Sequence, residues 1–174
     1  MVKYVCVLLL MMAFAAPAFA QDDFPQVELA FGYGNFAMKD LHPDRHSGFA
    51  THQAINLSSM FAIENYFGYY GFGTDPNLGK TELLTNVFGG KFSYRAAGPV
   101  FYGSAGIGGA WLRFPDIGAG TNSAFGVKLG GGVDVPIGES FAWKVDVSRM
   151  SFNFFDDWRS GLNISTGIVL KIQY

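Results

Sequence analysis

LNISTGIVLKIQY, the stretch from Leu162 to Tyr174, alternates between large, mostly apolar side chains and small or polar ones. This period of two is typical of a β-strand that has one apolar face and one polar face. The stretch is 13 residues long, whereas strands of soluble proteins usually have about five or six. A tilted strand needs about 9 to 11 residues to cross a bilayer. The stretch therefore predicts a membrane-spanning strand.

The same alternation recurs along the chain. In 27–34 (VELAFGYG) and 141–148 (FAWKVDVS), large apolar side chains alternate with small or charged ones. One segment, 61–72, is aromatic on both faces, so the sequence leaves open whether Glu64 or Asn65 faces inward. Eight strands are predicted, at 27–36, 49–58, 61–72, 83–95, 100–113, 123–135, 141–152 and 161–174.

The links between these strands are predicted to alternate in length. Long links are expected at 37–48, 73–82, 114–122 and 153–160, and short ones at 58–60, 96–99 and 136–140. Both kinds are rich in turn-forming residues. Long loops on one side and short turns on the other are typical of antiparallel membrane barrels. The predicted fold is therefore an all-β, eight-stranded antiparallel up-and-down transmembrane β-barrel over 21–174, with both chain ends in the periplasm.

The predicted inner faces combine glycine with charges of both signs. A sheet enters hydrocarbon only when it closes on itself, because each unpaired backbone group costs several kcal/mol there. An eight-stranded barrel has an interior just wide enough for side chains. Since buried charges need partners, we expect a lumen plugged by salt bridges. The predicted lumen charges are Lys91, Lys128, Asp134, Lys144 and Asp146. The alternative is a sheet face whose charges are solvated.

Several aromatic residues fall near predicted strand ends on the apolar face. They are Tyr33, Tyr94, Trp111, Phe141, Trp143 and Tyr174. Aromatic girdles of membrane proteins lie at these levels. The alternative interpretation is the core of a soluble β-sandwich or of a lipocalin-like periplasmic carrier.

The first twenty residues predict a signal peptide. Lys3 precedes an apolar run from Val5 to Ala16, and Ala18-Phe19-Ala20 fits a cleavage site. The alternative is an N-terminal anchor that is not cleaved. The single cysteine, Cys6, lies in this segment, so the predicted mature domain 21–174 has neither a disulfide nor a cysteine nucleophile.

Composition excludes two further classes of protein. The chain is 49% hydrophobic and 17% aromatic, which excludes a disordered protein. Its 12 basic and 14 acidic residues give a net charge of −2 without a basic block. We therefore expect no nucleic-acid partner.

These features together resemble the small eight-stranded outer-membrane β-barrel proteins, such as the OmpA transmembrane domain and OmpX. The resemblance rests on the opening strand 27–34, Gly68–Gly71, the run 130–135 (GGGVDV) and the terminal aromatic residue. It implies a Gram-negative-type envelope and contact with outer-membrane lipid and lipopolysaccharide. In that family the last strand is the signal read by the outer-membrane insertion machinery. Leu170, Ile172 and Tyr174 match this signal, with Tyr in place of the more usual Phe.

Some barrels of this kind modify lipid A, so a catalytic site has to be considered. Such a site needs a serine nucleophile, a histidine base and an orienting carboxylate. The candidates are His42, His46 and His52, with Ser58, Ser59, Ser148 or Ser151 and with Asp44 or Glu64. No His-x-Ser pair occurs, and a metal site made of His42, Asp44 and His46 lacks regular spacing.

We therefore expect no catalytic residue, no cofactor and no metal. The expected role is structural, or a surface interaction through loops 37–48 and 153–160, where Phe154, Phe155 and Trp158 are available for contact. The alternatives are a lipid-A-modifying barrel enzyme and a soluble periplasmic carrier.

Overall fold

The computed structural model describes residues 24–38, 45–72, 74–75, 79–95, 98–117 and 119–173. The main strands are β1 (Val27–Met38), β2 (Arg45–Asn56), β3 (Phe61–Phe72), β4 (Glu82–Arg95), β5 (Val100–Phe114), β6 (Ala119–Pro136), β7 (Phe141–Phe154) and β8 (Asp157–Ile172). A two-residue ladder joins Thr74–Asp75 to Gly79–Lys80, and Pro115–Ile117 forms a 3-10 turn. Within the described residues, no α-helix is long and apolar enough to cross a bilayer.

The eight main strands form one closed antiparallel barrel. Each strand pairs with its neighbours in the chain, and β1 also pairs with β8, from Val27 opposite Ile172 to Met38 opposite Gly161. Closure leaves the barrel itself without a free sheet edge. The predicted fold class, strand number and strand order are confirmed.

The two ends of the barrel differ in how they join the strands. At one end, which we call the turn end, β2 is followed by β3, β4 by β5 and β6 by β7. At the other, which we call the loop end, β1 is followed by β2, β3 by β4, β5 by β6 and β7 by β8. The prediction of long links at 114–122 and 153–160 is wrong, because β6 begins at Ala119 and only two residues separate β7 from β8.

The strands continue toward the loop end, and the polarity of the two faces of the wall inverts there. On β7, Phe141, Trp143 and Val147 face outward and Lys144 and Asp146 face inward. Beyond Ser148 the pattern reverses. The outward side chains are then Arg149, Ser151 and Asn153, and the inward ones are Met150, Phe152 and Phe154. Polar outward residues made this part of the sequence resemble a loop, although the alternation itself persists.

Large apolar side chains cover the outer wall between the turn end and this inversion. We call this surface the belt. Leu129, for example, is 69% exposed. Aromatic residues border the belt on both sides, with Phe92, Tyr94, Phe101, Phe141 and Trp143 nearest the turn end and Tyr33, Phe49, Trp111 and Phe125 nearest the loop end. So large an apolar surface fits hydrocarbon and not water.

Glycine is required where adjacent strands approach closely on the inner face of the barrel. Gly32 on β1 lies opposite Gly167 on β8. A Cβ on Gly32 would lie 2.0 Å from the Thr166 carbonyl oxygen, and one on Gly126 would lie 2.1 Å from Cδ1 of Phe152. Gly126 thus makes room for the Phe152 ring.

Candidate functional site

The structure places the five predicted lumen charges inside the barrel, each at most 4% exposed. Two acidic residues that were not in the predicted set, Glu28 and Glu64, are also buried there. We call these seven groups the charged layer. Its members are Glu28, Glu64, Lys91, Lys128, Asp134, Lys144 and Asp146.

Nearest the turn end, Glu28 is held by two cations. Lys91 Nζ lies 2.6 Å from Glu28 Oε2, and Arg95 Nη2 lies 2.9 Å from Oε1. The Asn56 amide donates to the same Oε1 at 3.2 Å and to the Pro25 carbonyl at 2.6 Å. These contacts tie β1, β2 and β4 together across the lumen.

Tyr102 lies at the centre of the charged layer. Lys144 Nζ is 3.9 Å and Lys91 Nζ is 4.6 Å from the centroid of its ring. Its hydroxyl donates to Asp146 Oδ2 at 3.0 Å. The two ammonium groups also share Asp134, at 2.8 Å from Lys144 and 3.5 Å from Lys91. Charges of both signs therefore compensate one another without bulk water.

His52 lies between a carboxylate and a serine. Its Nδ1 is 3.6 Å from Glu64 Oε2, and its Nε2 is 3.5 Å from Ser165 Oγ. Lys128 Nζ also contacts Glu64, at 3.3 Å. The order Ser, His, carboxylate is that of a hydrolase triad. However, all three residues are at most 5% exposed, and the cavity beside Ser165 measures about 10 Å³, which is room for one water.

The predicted catalytic candidates are otherwise dispersed. Ser148 Oγ accepts a hydrogen bond from the Asn163 amide, Ser151 pairs with Ser160, and Ser58 Oγ accepts from the Phe61 backbone N–H. His46 is buried near the loop end of β2. His42 and Asp44 lie outside the described residues. The serine nearest His52, Ser165, was missed because it is 113 positions away in the chain.

An apolar core fills the lumen on the loop-end side of the charged layer. Its members without a polar group include Phe36, Met38, Leu83, Leu112, Met150, Phe152 and Phe154. The Phe152 ring lies 6.3 Å from that of Phe36 and 6.1 Å from that of Phe154, between centroids. Tyr70 borders the charged layer, where its hydroxyl donates to Asn163 Oδ1 at 2.6 Å and pairs with the Tyr66 hydroxyl.

At the loop end, β7 and β8 form a hairpin with a two-residue turn. Phe155 and Asp156 both have left-handed backbone angles, with φ of 56° and 62°, as a type I′ turn requires. Phe155 and Trp158 are 62% and 52% exposed. Phe154 was predicted to be available for contact, and that prediction is wrong, because the side chain points into the apolar core.

This turn gives a prediction about stability. Phe and Asp each lose roughly 1 kcal/mol or more in the left-handed region. The double substitution Phe155→Asn/Asp156→Gly is therefore expected to stabilise the barrel by about 1–2 kcal/mol. Urea unfolding in detergent micelles measures the change, with Ser140→Gly in an open turn-end link as the control. A lower stability for the double variant would contradict the turn assignment.

An ionic cluster lies on the outer rim at the loop end. Glu82 Oε1 lies 2.7 Å from Lys80 Nζ and accepts a hydrogen bond from the Tyr69 hydroxyl at 3.1 Å. The other carboxylate oxygen, Oε2, lies 3.8 Å from Arg113 Nη1. The hydrogen bond with Lys80 lowers the pKa of Glu82 and raises the pKa of Lys80. Because the two cations, Lys80 and Arg113, are exposed, such pairs add little stability.

Two predicted signals lie partly or wholly outside the described residues. Leu170 and Ile172 belong to β8, but Tyr174, the third residue of the predicted insertion signal, is outside the described part, as are residues 1–20 of the predicted signal peptide. Glu28, Glu64 and Arg95 are interior charged residues outside the predicted set, although the sequence left the direction of Glu64 open. Glu28 had a readable signal, since it shares the inner face with Ala30 and Gly32.

Comparison with known proteins gives a family and a set of structural neighbours. A family model described as the outer membrane protein beta-barrel domain matches residues 6–169. No curated protein matches the chain.

Three solved structures illustrate the shared fold. The attachment invasion locus protein Ail of Yersinia pestis has a TM-score of 0.58 at 16% identity, covering 84% of this chain and 99% of Ail. Neisserial surface protein A has a TM-score of 0.58 at 11% identity, covering 84% of this chain and 96% of that one. OprG of Pseudomonas aeruginosa has a TM-score of 0.58 at 10% identity, covering 87% and 97%. At these identities the likeness concerns the fold alone.

Proposed function

Because this chain belongs to the outer membrane protein β-barrel domain family, we propose that it is a non-enzymatic, non-conducting protein that acts at the cell surface. Its place in the outer membrane follows from the family. A soluble periplasmic carrier does not fit that family, nor does it fit the exposed apolar belt.

In this proposal the chain works in a Gram-negative-type envelope. Residues 1–20 direct export and are removed, and the insertion machinery reads Leu170, Ile172 and Tyr174. The turn end faces the periplasm and the loop end faces outward. The belt contacts outer-membrane lipid, including lipopolysaccharide in the outer leaflet.

The observation that carries the non-conducting role is the two-layer filling of the lumen. A permeating ion would have to separate the salt bridges around Lys91 and Lys144 and then pass a core that includes Phe36 and Phe152. The apolar side chains of this core offer nothing in exchange for the hydration shell of an ion. Both layers are consistent with a plugged barrel.

We predict that the full-length protein produces no discrete current steps in planar phospholipid bilayers. The measurement needs a general porin in the same bilayer as the positive control. Reproducible unitary steps whose size changes on Lys144→Met would contradict the proposal, since that residue lies inside the lumen.

The surface role rests on the β7–β8 hairpin. Phe155 in its two-residue turn and Trp158 near the start of β8 are both exposed. The left-handed φ of Phe155 is unusual for a bulky residue. Retaining such a residue suggests a role in contact. One structural neighbour, Ail, is named as an attachment invasion locus protein. We extend only the idea of surface attachment to this chain, as part of the proposal.

The surface role can be tested with whole cells. Adhesion of expressing bacteria to cultured epithelial cells is expected to fall several-fold in the Phe155→Ser/Trp158→Ser variant. The matched control is Ile137→Ser, which removes an exposed apolar residue at the turn end. Equal adhesion of the wild type, both variants and cells without the gene would reject the role.

The arrangement of Ser165, His52 and Glu64 motivates one second candidate, a lipid-A-modifying enzyme. Its burial argues against access by any lipid substrate, because the adjoining cavity is about 10 Å³. Mass spectrometry of lipid A from cells with and without the gene decides between the two. A change in acyl-chain number that is lost on His52→Ala would favour the enzyme.

A further inference from the structure

A group of polar side chains interrupts the belt on three adjacent strands. They are Thr51 and Gln53 on β2, Asn65 on β3 and Asn86 on β4, and we call them the amide patch. All four face outward, because the inward positions of these strands are those of His52, Glu64 and Val87. The patch lies between Phe49 and Ile55 on β2 and between Phe61 and Tyr69 on β3. It is therefore at the level of hydrocarbon.

The patch members are direct or diagonal neighbours. Gln53 lies opposite Asn65, and Thr51 lies opposite Phe67. Phe67 in turn lies opposite Asn86, so Asn65 is diagonal to both Thr51 and Asn86. The four side chains thus form one compact polar area instead of scattered substitutions.

Two atoms of the patch have no hydrogen-bond partner among the described residues. They are the side-chain oxygens of Asn65 and Thr51, which neighbouring atoms shield, whereas Gln53 is exposed. Thr166, another polar residue of the belt, is different. It accepts a hydrogen bond from the Trp143 indole N–H at 2.7 Å and donates to the Lys144 carbonyl at 3.1 Å. An unpaired polar group in hydrocarbon is costly, and acyl chains have no hydrogen-bonding group to offer.

A groove of about 310 Å³ adjoins the amide patch on the same outer wall. Its lining includes Leu29, Gln53, Ile63, Asn65 and Phe88. The ring of Phe88 stands at one margin and is largely exposed. The wall therefore presents a depression, a projecting aromatic ring and polar side chains side by side.

From these observations we infer that the amide patch and its groove bind a second copy of this chain within the membrane. Copies inserted in the same orientation are related by a two-fold axis along the membrane normal. An axis passing between Gln53 and Asn65 brings each of these residues to face the other residue of the second copy. An amide carries both a donor and an acceptor, so the pair is complementary to itself. The same two-fold axis places Phe88 of one copy against Leu29 in the groove of the other copy.

This inference does not depend on the surface role proposed above. The first test is sedimentation equilibrium of the full-length protein in density-matched detergent micelles. The wild type is expected to show a monomer–dimer equilibrium. Gln53→Leu/Asn65→Leu is expected to weaken the dimer by at least about tenfold, as loss of hydrogen bonds between membrane segments does.

The control is Thr166→Val, which replaces an outward polar residue by an apolar one on β8, outside the amide patch. The dimer is expected to persist in this variant. Heat-dependent migration on a denaturing gel verifies that every variant is folded. A wild type that is monomeric throughout the measured concentration range would overturn the inference, as would an equal dimer in the double leucine variant.

Cross-linking in native membranes gives an independent test, since the chain has only Cys6, which is in the predicted signal peptide. Gln53→Cys and Asn65→Cys, carried on differently tagged copies, are expected to form a mixed disulfide on oxidation. Leu129→Cys on β6 is the control and is expected to remain unlinked. If the yield of mixed disulfide were no greater than for this control, or if the cysteines formed disulfides only with a different protein, a second copy would not be the partner that binds the amide patch.

Discussion

Replacing Lys91 by Met is expected to destabilise the folded barrel by about 3–5 kcal/mol, the usual cost of removing one partner of a buried ion pair. Lys91 is 1% exposed and contacts both Glu28 and Asp134. Without it, Arg95 remains beside Glu28 and Lys144 remains beside Asp134. Each carboxylate would nevertheless lose a partner in a region that water does not reach.

Urea unfolding in detergent micelles, followed by tryptophan fluorescence, measures this loss. The double variant Glu28→Gln/Lys91→Met is expected to recover part of it, because the uncompensated charge is removed. Lys80→Met is the matched control, since this exposed lysine also has a carboxylate partner and such pairs contribute about 0–1 kcal/mol. Equal effects of the Lys91 and Lys80 substitutions would contradict the charged layer.

A loss of comparable size, about 3–5 kcal/mol, is expected for Phe152→Ala. Phe152 is fully buried in the apolar core, where its ring contacts those of Phe36 and Phe154. The ring also occupies the space above Gly126. Truncation would leave a cavity enclosed by the barrel wall, and neighbouring strands cannot close it without giving up their pairing.

Phe101→Ala is the matched control, because it removes the same atoms from the outer face of β5, where the ring is exposed. Lipid can fill the space that it leaves, so its cost lacks the cavity contribution. The same unfolding experiment compares the two variants. If Phe101→Ala were the more destabilising one, the apolar core would not have the role described here.

Alternation predicted the fold because each strand of such a barrel lies between two different environments. The faces of β1, β7 and β8 could be assigned from residues such as Leu29, Trp143 and Ile168, and the structure places these residues outward. The question left open for 61–72 is answered, since Glu64 faces inward and Asn65 outward. Aromatic residues on both faces of β3 had hidden this, because Tyr66 and Tyr70 fill the lumen while Phe61 and Phe67 face out.

The pairing of the interior charges could not be predicted. Glu28 and Lys91 are 63 positions apart in the chain, and their contact depends on the register of strands that are not adjacent in the barrel. Periodicity assigns a residue to a face but does not give its height or its neighbours across the lumen. The same limit concealed Ser165 beside His52, and also concealed Phe154, whose inward direction depends on strands that extend past the belt.

The inversion of polarity between Val147 and Arg149 has a consequence for how the barrel meets a bilayer. If the barrel were immersed more deeply by the distance between two successive outward residues of a strand, Arg149 would approach hydrocarbon. Arginine on a lipid-facing wall costs about 2–4 kcal/mol at the midplane. Raising the wall would expose Trp143 and its neighbours to water. The immersion depth is thus set by the protein, and a bilayer of unmatched thickness has to thin or thicken around it. Trp158 near the start of β8 lies 6.5 Å from Phe125, between ring centroids, at the loop-end border of the belt. The hairpin therefore keeps the same level relative to the hydrocarbon in membranes of different thickness.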